Sequence, residues 1–117
     1  MKITVQVMLN PYTNEDMDSA INIARAARKK GHDVAIFLFC DSVLAINTAV
    51  KPIKGDRNIP QILKELIDDG VEVHICGICF QYRGLDTEKI VPGAQLSGLP
   101  ELASLIYESD RFINLMA

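Results

Sequence analysis

Short apolar runs of strand length alternate along this chain with stretches in which apolar residues return every three or four positions. Ile3–Leu9 reads as a first strand. Asn10, Pro11, Tyr12, Thr13 and Asn14 form a loop of turn formers, in which Thr13 and Asn14 are the expected helix N-caps. Met17, Ala20, Ile21, Ala24 and Ala27 then lie on one helical face. Arg28, Lys29 and Lys30 place positive charge at the C-terminal end of that helix, and Gly31 closes it. Val34–Phe39 is continuously apolar, as a strand covered on both faces would be. A short helix is expected from Ser42 to Ala45, and an exposed loop from Lys51 to Asp56.

Asn58 and Pro60 are start signals for the next helix, whose stripe is Ile59, Ile62, Leu63, Leu66 and Ile67. Gly70 ends it. Val71, Val73 and Ile75 alternate with Glu72 and His74 in a third strand that runs into Cys76. A fourth, short strand is expected around Ala94–Leu96, a helix from Leu99 to Ile106, and a last strand from Arg111 to Leu115. This order predicts an α/β fold: three α/β/α layers around a mostly parallel sheet of about five strands, joined by right-handed crossovers. A chain of 117 residues is one domain, 1–117.

Composition narrows the partners. A net charge of -3 gives no basic excess for nucleic acid, and the absence of Trp removes the best base-stacking side chain. No apolar run reaches the ~18 residues of a membrane span, and Met1 leads directly into a strand pattern without a signal-peptide profile. The expected location is the cytoplasm, where the three cysteines would be reduced.

Cys76 is the leading candidate for chemistry. It ends the third strand, and active sites in open α/β sheets collect at the carboxyl ends of strands. Gly77–Gly84 reads as a helical turn. A cysteine just before a helix meets its free N–H groups and the positive end of its dipole, which favours thiolate. Gly77 leaves room beside the sulfur, and Arg83 adds positive charge if the turn folds back. Buried cysteine acting as a small hydrophobe is the competing reading. Cys79 makes a CxxC with Cys76, which a dithiol redox centre would use, although thioredoxin-like sites open a long helix after the first strand. Cys40 ends the second strand near the same sheet edge. Asp41 and Ser42 sit at that strand end as loop residues of a site or as helix caps. Zinc would need Cys40, His74, Cys76 and Cys79 together. No second CxxC is present, and His74 is expected to point away from Cys76, so no metal is assigned. No glycine-rich phosphate loop supports a nucleotide or flavin cofactor, and none is assigned.

The segment Val73–Leu85, with Cys76 at a strand end and Arg83–Gly84 seven residues later, resembles the cysteine motif of the DsrE/DsrF-like family, which includes TusD-type proteins. Lys2–Leu9, Ala20–His32, Val34–Val43, Leu96–Leu99 and Ser109–Phe112 resemble further parts of the family pattern in order and spacing. The resemblance implies an α/β/α fold and a homotrimer or homohexamer. It also implies sulfur relay, in which Cys76 carries sulfane sulfur as a persulfide between donor and acceptor proteins. Two departures stand out. Cys40–Val43 replaces a glycine-containing turn, so a differently shaped loop is expected there. Cys79 adds a second thiol, as in stand-alone members. Beside the sulfur carrier stand two other readings: a non-catalytic, oligomeric partner-binding module with structural cysteines, and a Cys76/Cys79 dithiol redox protein.

Overall fold

The computed structural model describes residues 1–116. Its elements run β1 (Lys2–Val7), α1 (Asp16–Lys29), β2 (Asp33–Leu38), a 3₁₀ helix (Cys40–Ile46), α2 (Ile59–Asp68), β3 (Glu72–Cys76), α3 (Gly77–Tyr82), a 3₁₀ turn (Thr87–Lys89), β4 (Gln95–Ser97), α4 (Leu99–Glu108) and β5 (Arg111–Leu115). The five strands form one all-parallel sheet in the order β4-β3-β2-β1-β5. The chain steps outward from β1 to β4 and then returns across the sheet to place β5 on the other side of β1. With right-handed crossovers, that reversal puts α4 on the opposite face from α1 and α2.

The two faces of the sheet differ in chemistry because strand side chains alternate. One face presents Val5, Val7, Val34, Ile36, Leu38, Val73 and Ile75, all essentially fully buried. Met17, Ala20, Ile21 and Ala24 of α1, with Ile59, Leu63 and Leu66 of α2, supply the apolar stripes of the helices. Each buried Val, Leu, Ile or Met side chain among these stabilises the fold by roughly 1.5–3 kcal/mol of burial. The α4 face is mixed. Thr4 Oγ lies 2.6 Å from the Ser109 hydroxyl at the end of α4, and Gln6 Nε2 donates to Asn114 Oδ1 at 3.2 Å. Ala35, Phe37 and His74 share this face by register.

Several local expectations need correction. Thr13 and Asn14 do not cap α1. Glu15 holds the N-cap position without a side-chain cap bond, and Asn14 donates to the Thr13 hydroxyl instead. The Asn10 carboxamide oxygen accepts from the Tyr12 amide, and its carbonyl accepts from Thr13 and Asn14. That turn occupies the residues that would have started the helix. Arg57, unremarked in the sequence, fastens the same loop: it donates to the Pro11 carbonyl at 2.6 Å and pairs with Asp18 at 2.7 Å. Asn58 does cap α2, accepting from the Gln61 amide at 3.2 Å. No helix among the described residues is long and apolar enough to cross a membrane.

Candidate functional site

Three cysteines from two crossover units stand at the carboxyl edge of the sheet. β2 and β3 pair in parallel with Leu38 beside Ile75, so their carboxyl ends are neighbours. Cys40 follows the end of β2, Cys76 is the last residue of β3 and the N-cap of α3, and Cys79 lies in the first turn of α3. The Cys40 amide donates to Cys79 Sγ at 3.3 Å, across 39 residues of sequence. Cys76 and Cys79, at i and i+3 on a helical turn, face the same side. All three are free thiols. Cys76 is buried, while Cys40 and Cys79 are half-buried.

Burial decides the state of Cys76. Its thiol pKa is pushed above the ordinary value, first by desolvation. The Ile78 and Cys79 amides lie close enough to pull it down, as expected at a helix start, and the neighbouring Cys79 thiol pushes it up. The side chain makes no full capping hydrogen bond. The expectation of a favoured thiolate is therefore reversed: α3 has only six residues, and its few N–H groups do not offset a residue that is 4% exposed.

Arg83 does fold back. Its Nη2 and Nε donate to Asp41 Oδ1 at 2.7 and 3.0 Å, and its Nη1 donates to the Cys79 carbonyl at 3.0 Å. One guanidinium thus ties the turn after β2 to the end of α3. Its charge is favoured first by its hydrogen bonds to Asp41. Gly84 closes α3 in the left-handed region at φ 64°, its amide donating to the Gln81 carbonyl.

Asp41 and Ser42, read from sequence as caps or site residues, divide between two tasks. Asp41 is exposed and holds Arg83. Ser42 is fully buried, and its single hydroxyl proton is shared between the carbonyls of Val7 and Phe39, locking the ends of β1 and β2 to the 3₁₀ helix. The space at Gly77 is used differently from the expectation. A Cβ there would stand 3.3 Å from the Ser97 carbonyl oxygen, so the missing side chain admits β4 rather than clearing the sulfur. A shallow cleft of about 280 Å³ opens beside it, lined by Gly77, Phe80, Gln81 and Leu96 among others.

His74 also departs from the sequence reading. Being two residues before Cys76 on the same strand, it shares a sheet face with it. Its ring stacks on Phe37, and Nδ1 lies 2.8 Å from the Ser97 hydroxyl, fastening β3 to edge strand β4. Sequence periodicity marks His74 as strand but cannot supply this partner. Among the described residues, no three His, Cys, Asp or Glu side chains form a metal-holding group.

The DsrE/DsrF-like family model matches residues 1–115. This chain belongs to the DsrE/DsrF-like family. An uncharacterized protein of Methanocaldococcus jannaschii is 34% identical over 113 residues, covering 97% of this chain and 98% of its own. Sulfurtransferase TusD of Cronobacter sakazakii is 28% identical, covering 97% and 98%. Protein YchN of Escherichia coli K12 is 31% identical over 96% of this chain and 97% of its own. The crystal structure of E. coli YchN superposes with a TM-score of 0.90, at 30% identity, covering 98% of this chain and 99% of that one. The fold is thus the α/β fold of the DsrE/DsrF-like proteins. The departure at the glycine-containing turn acquires a geometric meaning within this family. Cys40 has φ 54°, the one non-glycine residue with positive φ among those described, and a conformation that glycine adopts freely. Cysteine here holds a glycine-like backbone at a cost of roughly 1–2 kcal/mol.

Proposed function

We propose that this chain is a sulfur carrier whose Cys76 holds sulfane sulfur as a persulfide, taken from a donor protein and passed to an acceptor protein. The observation that supports the reading most is the gathering of Cys40, Cys76 and Cys79 with Arg83 at the carboxyl edge of the sheet. The relatives named as sulfurtransferases lend the same direction to the chemistry. Thiolate attack on the outer sulfur of a donor persulfide moves one sulfur atom without net oxidation, by the same exchange that reshuffles disulfides. The cytoplasm is the compartment we assign, since free thiols persist there.

Assembly with further copies of the chain, as a trimer or hexamer, belongs to the same proposal. Of the apolar loop residues, Val43, Ile46 and Val91 are buried within one subunit, Leu44 and Ile90 are half-buried, and Val50 is exposed. Surface left for a second copy lies on β4 and α4, where Leu96, Leu99, Ile106 and Tyr107 are exposed.

A second reading, the Cys76/Cys79 dithiol redox protein, draws on the placement of those two cysteines three residues apart at the start of α3. Exposure of the reduced protein to a low-molecular-weight persulfide, followed by intact mass and site mapping, separates the readings. A carrier gains about 32 mass units, one sulfur atom, on Cys76, and Cys76→Ser does not retain it. Absence of any adduct on folded, reduced wild-type protein would refute the carrier reading. A Cys76–Cys79 disulfide as the sole product would replace it with the redox reading.

A further inference from the structure

Cys76 is the most protected thiol of the three, at 4% exposure, whereas Cys79 is half-buried. Of the two, Cys79 is the more accessible residue. The surroundings of Cys79 suit a nucleophile that accepts and releases sulfur. Its Sγ receives a hydrogen bond from the Cys40 amide at 3.3 Å, a donor aimed there by the left-handed turn at Cys40. Arg83 is anchored on the Cys79 carbonyl and on Asp41, which ties the turn carrying Cys79 to the loop after β2. Strained non-glycine residues concentrate at working sites, and this one supplies the contact that reaches Cys79.

We infer that Cys79 is the exchange thiol of the site: sulfur enters and leaves through Cys79, and Cys76 is the buried store behind it. This rests on the carrier reading above. In the first step the Cys79 thiolate attacks the outer sulfur of a donor persulfide, R–S–SH. The new Cys79–S bond forms, the S–S bond to the donor breaks, and the electron pair leaves with the donor as R–S⁻. In the second step Cys76 attacks the outer sulfur of Cys79–S–SH. The bond from Cys79 to that sulfur breaks as the bond to Cys76 forms, and the proton that Cys76 gives up goes to the departing Cys79 thiolate. The balance is Cys76–SH plus Cys79–S–SH to Cys76–S–SH plus Cys79–SH. No oxidant or reductant is consumed. Delivery to the acceptor runs the two steps backwards.

The geometry favours this hand-off. The two cysteines sit one helical turn apart on one side of α3, where neighbouring side chains meet. The raised thiol pKa of Cys76 fits a store that reacts with its neighbour and is poorly reactive toward solvent reagents.

The test is a rapid-quench time course with cysteine persulfide, using iodoacetamide to trap each site and peptide mass mapping to read it. In wild-type protein the Cys79 persulfide forms first and decays as the Cys76 persulfide grows. Cys79→Ser, which keeps an acceptor for the Cys40 amide, loads Cys76 about tenfold more slowly or worse. Cys76→Ser still loads Cys79 and fails to retain the sulfur. Loading of Cys76 before Cys79 in wild type, or at the wild-type rate in folded Cys79→Ser, overturns the hand-off and leaves Cys76 as a direct acceptor. Release of hydrosulfide with formation of a Cys76–Cys79 disulfide also overturns it, since attack then falls on the inner sulfur. No sulfur on either residue of wild-type protein refutes the carrier reading itself. The order of loading is read in the unaltered chain, so it stands even if a variant misfolds.

Discussion

Ser42→Ala tests whether the sheet edge beneath the thiols is held by one buried hydroxyl. Ser42 is fully buried, and its Oγ lies 2.5 Å from the Val7 carbonyl and 2.7 Å from the Phe39 carbonyl. Leaving a buried carbonyl without any partner would cost ~1–3 kcal/mol. Here neither is left so. The Phe39 amide still donates to Val7 at 3.0 Å, and the Ser42 amide still donates to Phe39 at 3.2 Å. The expected loss is therefore the net worth of the hydroxyl's own bonding, about 1 ± 0.5 kcal/mol. For a domain of this size that lowers Tm by roughly 3–6 °C. Thermal and urea unfolding followed by circular dichroism would measure it, with an unchanged m-value showing that only stability moved. A variant as stable as wild type would mean that the hydroxyl has no net role in joining the strand ends to the 3₁₀ helix. A loss above ~3 kcal/mol would refute the backbone-backup argument.

Two further predictions concern the neighbours of the site. Arg83→Gln removes a pair whose side chains are 29% and 57% exposed, so stability falls by less than about 1 kcal/mol. Sulfur loading slows by about 1.5- to 5-fold, the range that ~0.2–1 kcal/mol for an exposed charge pair allows; a large stability loss with unchanged loading would assign Arg83 to the fold alone. His74 has its pKa lowered chiefly by burial, with Glu72 raising, Lys2 lowering and Glu101 raising it. A depressed folded pKa gives stability that is present above the unfolded value of about 6.5 and is lost as pH falls. Urea unfolding of wild type should therefore lose more stability below that pH than His74→Asn does, and parallel pH profiles would sink the assignment.

The elements of this fold are written locally, and most are readable as such. The last strand runs Arg111–Leu115 as the pattern indicates, and Asn58 caps α2 because its carboxamide needs only an amide three residues on. Cys76 at the carboxyl end of β3 follows from strand alternation and the helical turn after it. These are consequences of the two-residue and 3.6-residue repeats, which involve neighbours in sequence. Contacts that join different crossover units have no such local signature. The meeting of Cys40 with Cys79, the reach of Arg83 to Asp41, the closure of Ser42 on Val7 and the pairing of His74 with Ser97 all depend on the register of parallel strands. Burial is likewise a property of the whole packing: local position places Cys76 where helix N–H groups favour thiolate, and tertiary desolvation pushes its thiol the other way. The sequence determined the sheet, its helices and the residue at the strand end. The tertiary structure decided that Cys76 is buried while Cys40 and Cys79 are half-buried, because burial depends on packing between crossover units.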